Sequence, residues 1–94
     1  MARFLIEVPH EANRASCDRA VEIFLKTGSH FLTHADWGCK DGVHKAWIIA
    51  EVENKNGARI ILPPAYRAQA KITELIQYNY IEQVDEMFSH HQQG

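Results

Sequence analysis

Only two of the 94 residues are cysteine and only three are proline, and no apolar run approaches the roughly 20 residues that a membrane-spanning helix needs. Two cysteines cannot build the disulfide framework of a small secreted domain. The chain begins MARFLIEV, without the charged region, apolar core and cleavage site of an export signal. We therefore expect a cytoplasmic protein with reduced thiols and no membrane partner. Charge of one sign is also scarce: 10 Lys and Arg stand against 12 Asp and Glu, a formal net charge of −2, and no basic run appears. Nothing in that balance attracts nucleic acid or an anionic membrane. There is no nucleophile elbow, phosphate-binding glycine loop, dinucleotide fingerprint or HExxH motif. The commonest enzyme classes drop out with them, and no cofactor is implied.

What is present is the composition of an ordinary globule, 46% apolar and 23% charged. Ninety-four residues make one domain, 1–94, near the size at which a second subunit adds useful stability. No repeat, linker or low-complexity segment is visible. Arg3 to Val8 reads as a first strand with Phe4, Ile6 and Val8 on one face, ended by Pro9. Asn13 is a helix cap, and Cys17, Ala20, Val21, Phe24 and Leu25 recur at helical spacing until Gly28 stops the helix. Cys17 falls on the apolar side of that helix and reads as a small core residue.

The segment His30 to Val52 holds three of the six histidines, both tryptophans and Cys39. It reads as two strands joined by a turn over Gly38–Gly42. With Trp37 opposite Val43, Asp36 lies opposite His44 and His34 opposite Ala46, so one register gathers His34, Asp36 and His44 on one face. A carboxylate beside an imidazole holds its tautomer and raises its basicity, which makes these three the candidate acid–base residues. The structural alternative is a cross-strand Asp–His pair contributing about 0.2–1 kcal/mol. His30, His34, Asp36, Cys39 and His44 are also zinc-type ligands, but their spacing matches no standard signature, and no metal is expected. Cys39 stands beside Lys40, a cation that would lower a thiol pKa.

Asn54 caps a short helix over Lys55 to Leu62, which Pro63 and Pro64 end. Ala65 to Gln69 reads as a loop or single turn carrying Tyr66 and Arg67, and from Ala70 AKITELIQY reads as a fourth strand. Asn79 and Glu82 resemble a capping box for a closing helix with Ile81, Val84, Met87 and Phe88 on one side. From Ser89 the tail (89–94) is polar and expected to fray. His10 and Tyr66 approach one end of the cleft between sheet and helices, and Trp37 could stack on an aromatic ligand, so these three are candidate ligand contacts. Arg59 and Arg67 read as solvated surface residues.

The order β-α-β-β-α-β plus a terminal helix is that of a ferredoxin-like α+β sandwich, with helices on one sheet face and the other bare. The bare face would carry Leu5, Trp37, Trp47 and Ile49, too apolar for water, so the partner expected is a second copy of the chain. The succession FLIEV, FLKTGSHFLTHADWG and AWIIAEVENKNGARIIL, then an extended segment and an acidic helix, resembles the small dimeric α+β barrel proteins. Phe24, Gly28, Trp37 and Glu51 are its landmarks. Within that group the chain is similar to bacterial families of unknown function and, more distantly in layout, to muconolactone isomerases. The resemblance implies the dimeric barrel and allows isomerases, cofactor-free oxygenases and haem-handling proteins alike. The first functional expectation is a homodimer that binds a small organic ligand between sheet and helices. The second is a cofactor-independent isomerase, lyase or oxygenase with His34 or His44 as base and Asp36 orienting it. A structural or regulatory interaction module is the third.

Overall fold

A computed structural model describes residues 1–78 of the chain. The closing helix expected around Ile81, Val84, Met87 and Phe88, and the polar tail, lie outside the described residues. The fold is α+β, built on one four-stranded antiparallel sheet.

Strand β1, Ala2–Pro9, has the alternation its sequence requires, with Phe4, Ile6 and Val8 buried. It is central. Strand β3, Lys45–Val52, pairs with it so that Phe4 faces Ala50, Ile6 faces Ile48 and Val8 faces Ala46. Phe4 and Val8 thus each oppose an alanine, leaving room for helices above the sheet. Strand β4, Lys71–Leu75, lies on the other side of β1, and β2, only Asp36–Trp37, lies outside β3. The sheet order is β2-β3-β1-β4, every neighbouring pair is antiparallel, and so β1 and β2 run parallel with β3 between them.

Helix α1, Arg14–Thr27, begins where the Asn13 side chain accepts from the Ser16 N–H at 2.8 Å, and ends where the Gly28 N–H returns to the Leu25 carbonyl. It buries Ala20 and Phe24, the latter contributing about 1.5–3 kcal/mol as a buried aromatic. Helix α3, Lys55–Ile61, starts in the same way, with Asn54 accepting from the Gly57 N–H. The single turn α4, Pro64–Arg67, carries Tyr66 into the core, 8% exposed and edge-on to Phe24 at 5.5 Å. Arg59 and Arg67, read from sequence as solvated, instead tie this corner together. Arg59 donates to the carbonyls of Arg67 and Ala70, and Arg67 to those of Leu62 and Ile60. Backbone acceptors that α3 and α4 leave open are satisfied by these guanidinium groups.

The main departure from the sequence reading lies between α1 and β3. His30–Thr33 is a helical turn, α2, rather than strand. Phe31, Leu32 and Ala35 supply apolar positions at helical spacing, and the Thr33 hydroxyl and His34 Nδ1 both meet the His30 carbonyl, at 3.2 and 2.8 Å. The connection from β2 to β3 is correspondingly longer, a 3-10 turn at Cys39–Asp41 followed by Gly42, Val43 and His44. Asp36 therefore faces Trp47, three positions beyond His44, and Trp37 faces Ala46. An odd displacement reverses both faces of a strand. Trp37 moves from the bare face to the helix-covered one, where its ring lies 5.1 Å from Phe24, while Trp47, Leu5 and Ile49 keep the open face. No helix among the described residues is long and apolar enough to cross a membrane.

The turn closes on Gly38, whose carbonyl accepts from both Asp41 and Val43 and whose N–H donates to Lys45. A Cβ at Gly38 would stand 2.7 Å from the Trp47 ring and from the Val43 carbonyl oxygen. Gly38→Ala is expected to cost about 1–3 kcal/mol by overpacking. Urea unfolding should show a lower midpoint at an unchanged m value.

Candidate metal centre

The three residues grouped by the expected register do not meet. His34 is exposed, with Nδ1 turned back to the carbonyl of His30 in its own helical turn. Asp36 is exposed and faces Trp47 across the open face; with His34 it borders a shallow groove of about 280 Å³. His44 is elsewhere. It continues the inner-face alternation of Ala46, Ile48 and Ala50, so the acid–base pair of Asp36 with His44 is not formed. The cause is the odd register displacement. Of the candidate ligand contacts, Tyr66 is core, while His10 and Trp37 are neighbours, ring centres 6.0 Å apart.

A different group forms instead. β1 runs on past Pro9, and the His10 N–H donates to the His44 carbonyl at 3.1 Å, so the pairing of Val8 with Ala46 is followed one step later on the same face by His10 with His44. Their rings meet edge to face, centres 5.7 Å apart. Cys17 comes from the first turn of α1, fixed by its N–H to the Asn13 carbonyl and by the Asn13 cap beside it. It stands on the stripe that continues through Ala20 and Phe24 toward the sheet. Cys39 is delivered by the 3-10 turn, which ends at Gly42 with φ at 79°, a left-handed conformation that a side chain disfavours.

These four elements bring one donor atom each from His10, Cys17, Cys39 and His44 to within 4.8 Å of one another. The Cys39 sulfur is 3.2 Å from His10 Nε2. Contrary to the reduced, separate thiols expected from sequence, Cys17 and Cys39 are paired as a disulfide with Cα atoms 7.0 Å apart, because the first turn of α1 and the 3-10 turn bring both to the same end of the sheet. All four residues are half-buried. His44 Nδ1 is fully enclosed and has no hydrogen-bond partner among the described residues. An enclosed imidazole nitrogen without a partner costs on the order of 1–3 kcal/mol, so the site leaves an acceptor or donor position aimed at something. Burial lowers the pKa of His10 from its ordinary value, and the nearby His44 lowers it further. The result is a neutral ring, the form that ligates metals. Beside the cluster opens a cleft of about 650 Å³, bordered by Cys17, Val21, Trp37, Cys39, Lys40 and His44.

From sequence, Cys39 and His44 stood as zinc-type ligands with His30, His34 and Asp36, while Cys17 was read as core and His10 as a candidate ligand contact at the end of the cleft. One signal for the actual set was present: His10 and His44 each extend an alternating apolar series, Phe4-Ile6-Val8 and Ala50-Ile48-Ala46. Comparison with protein-family models, with curated proteins and with solved structures finds no match for this chain. The centre is therefore interpreted from its own geometry.

The His10 ring should titrate below its ordinary value of 6.5 in nitrogen-detected NMR of the metal-free protein. His44→Ala should move it part of the way back, since burial, the larger cause, remains. For stability, the shift contributes nothing above the unfolded value; as pH falls from the unfolded value toward the lower folded one the unfolded chain binds the proton first, so stability declines and then levels off. An unchanged His10 titration in His44→Ala would remove the electrostatic link between the rings.

Proposed function

We propose that this chain is a small metal-binding protein in which Cys17, Cys39, His10 and His44 hold one zinc-class cation as a tetrahedral Cys2His2 set. One observation carries the reading: four soft or borderline donors, from four separated stretches of chain, converge within 4.8 Å. Zinc bonds of about 2.3 Å to sulfur and 2.0–2.1 Å to nitrogen put neighbouring donors roughly 3.3–3.8 Å apart, so closure needs shifts of about 1 Å or less. The enclosed His44 Nδ1, without a partner among the described residues, and the lowered proton affinity of His10 favour a cation there. With all four positions filled by protein the site is closed, and its role is to fasten α1 and the Cys39 turn to the ends of β1 and β3. The spacing of these four along the chain matches no standard zinc signature; the sheet register brings His10 to His44, and α1 and the 3-10 turn bring the two cysteines.

The strand order β2-β3-β1-β4, with β3 between parallel strands, supports reading the whole as a ferredoxin-like sandwich. A second reading concerns assembly. The open face carries Leu5, Trp47 and Ile49, the last 47% exposed, which favours a homodimer of the dimeric α+β barrel kind formed through that face. The cleft beside Trp37 and Val21 is where a small organic ligand would lie.

Protein purified without an affinity tag, under reducing conditions and with zinc, should retain one equivalent by elemental analysis. Cobalt substitution should give the ligand-field and thiolate charge-transfer bands of a tetrahedral site. Free zinc at 100 times the dissociation constant should add about 2.7 kcal/mol to unfolding. Cys17→Ser and His44→Ala should each weaken binding by at least about tenfold, the loss that even outer-shell partners produce. A reduced protein that retains no zinc ends the proposal. Sedimentation at micromolar concentration should show a dimer that Ile49→Lys dissociates; a monomeric wild type excludes the homodimer.

A further inference from the structure

The two sulfurs of the cluster are joined in the same fold that gathers the two imidazoles, so the pair that would ligate a cation is also the pair placed to form a disulfide. The two conditions exclude each other. A tetrahedral cation keeps two bound sulfurs about 3.8 Å apart, whereas a disulfide holds them at about 2.05 Å and takes up the electron pairs that made them strong ligands. Both cysteines also border the open cleft of about 650 Å³ beside Trp37, which gives a small reagent an approach to them. A purely structural cation would be served equally well by a centre without such an opening.

We propose that Cys17 and Cys39 form a hydroperoxide-sensitive dithiol whose oxidation to the disulfide releases the metal. The inference rests on the metal-binding reading above. In the first step one thiolate attacks the terminal peroxide oxygen, the O–O bond breaks, and the departing oxygen takes a proton and leaves as water or an alcohol. That cysteine becomes a sulfenic acid, its sulfur oxidised by two electrons. In the second step the other thiolate attacks the sulfenyl sulfur, the S–S bond forms, the S–O bond breaks, and hydroxide leaves as water on taking a proton. The sum is two thiolates, one hydroperoxide and two protons giving one disulfide, one water or alcohol and one water. The metal keeps its charge throughout and is lost because only His10 and His44 remain to hold it. The 7.0 Å between the two Cα atoms suits this exchange, since it lies at the outer edge of disulfide reach and within the span of two metal–sulfur bonds. A dithiol reagent reverses the oxidation and restores the site.

The test uses the full chain, untagged and reduced, loaded with zinc and titrated with hydrogen peroxide in the presence of a chromogenic zinc chelator. Zinc content is measured before peroxide is added. The expected result is one zinc released for each peroxide consumed and for each pair of thiols lost, a mass lower by two hydrogens, and recovery of zinc binding after dithiothreitol. Cys17→Ser and Cys39→Ser should each abolish the disulfide. His44→Ala should hold zinc at least about tenfold more weakly and still convert its two thiols to one disulfide on peroxide treatment, which separates ligation from sulfur chemistry. If the reduced protein holds no zinc at the start, the metal reading falls and the switch falls with it. If it holds zinc and keeps it after the disulfide has formed, or if peroxide adds oxygen to the thiols without joining them, the switch alone is overturned.

Discussion

The antiparallel pairing of β1 with β3 is the constraint on which the rest depends. It sets Phe4 against Ala50, Ile6 against Ile48 and Val8 against Ala46, and its next step on the same face sets His10 against His44. Core and candidate centre are thus successive stretches of a single inner face. At one end the alternating positions are apolar and covered by α1, α3 and α4; at the other they are imidazoles beside a cleft. A slip of one residue along this ladder would expose the core and scatter the histidines together. Selection for a packed interior therefore also holds the two nitrogens in place.

The second constraint is the turn that follows β2. Two hydrogen bonds of 3.0 Å to the Gly38 carbonyl and the left-handed Gly42 fold Cys39 back over the sheet end, and the Trp47 ring fills the space beside Gly38. One glycine without a Cβ thus serves both at once. It leaves room for the Trp47 indole, and its carbonyl closes the turn that carries Cys39. Cys17 arrives independently through the Asn13 cap, whose side chain starts α1 at the position that turns the cysteine toward the sheet. Capping, turn closure and strand register are local effects of about 1 kcal/mol each, and together they determine where four donor atoms lie.

These same effects explain what the sequence revealed. β1, α1 with its Asn13 cap and Gly28 stop, β3, and the Asn54-capped α3 were legible because each carries an unbroken periodicity between clear end signals. His30 to Val43 was not. HFLTHADW satisfies a strand pattern on paper, but Leu32 is anchored in the core as part of a helical turn held by the Thr33 and His34 side chains, leaving only Asp36 and Trp37 to pair. The length of the loop to β3 then decided the face of every residue before it. The error was one of parity, which is why it moved Trp37 inward and Asp36 outward and dissolved the expected His34–Asp36–His44 group in one stroke. Arg59 and Arg67 escaped for another reason: a charged side chain that caps carbonyls looks in sequence just like one that is solvated.

The position of the cluster fits the economy of a small domain. Phe24, Trp37 and Tyr66 form a continuous aromatic contact that thickens the core beneath α1, with Phe24 in the middle. Beyond Trp37 that packing gives out, because the next inward positions are His10 and His44 rather than large apolar side chains, and the first turn of α1 would otherwise sit over half-buried polar rings. A short chain has little further apolar surface to spend there. A link between Cys17 and Cys39, whether through a cation shared with the histidines or directly between the sulfurs, closes a loop of intervening chain containing most of α1, α2 and β2. Either link fastens the helix to the sheet where the hydrophobic core cannot. The two differ in what becomes of the imidazoles: bound together around a cation in one case, left in the other with His10 against the Cys39 sulfur and the His44 Nδ1 without a partner among the described residues. It is that difference that lets a structural fastening also respond to its chemical surroundings.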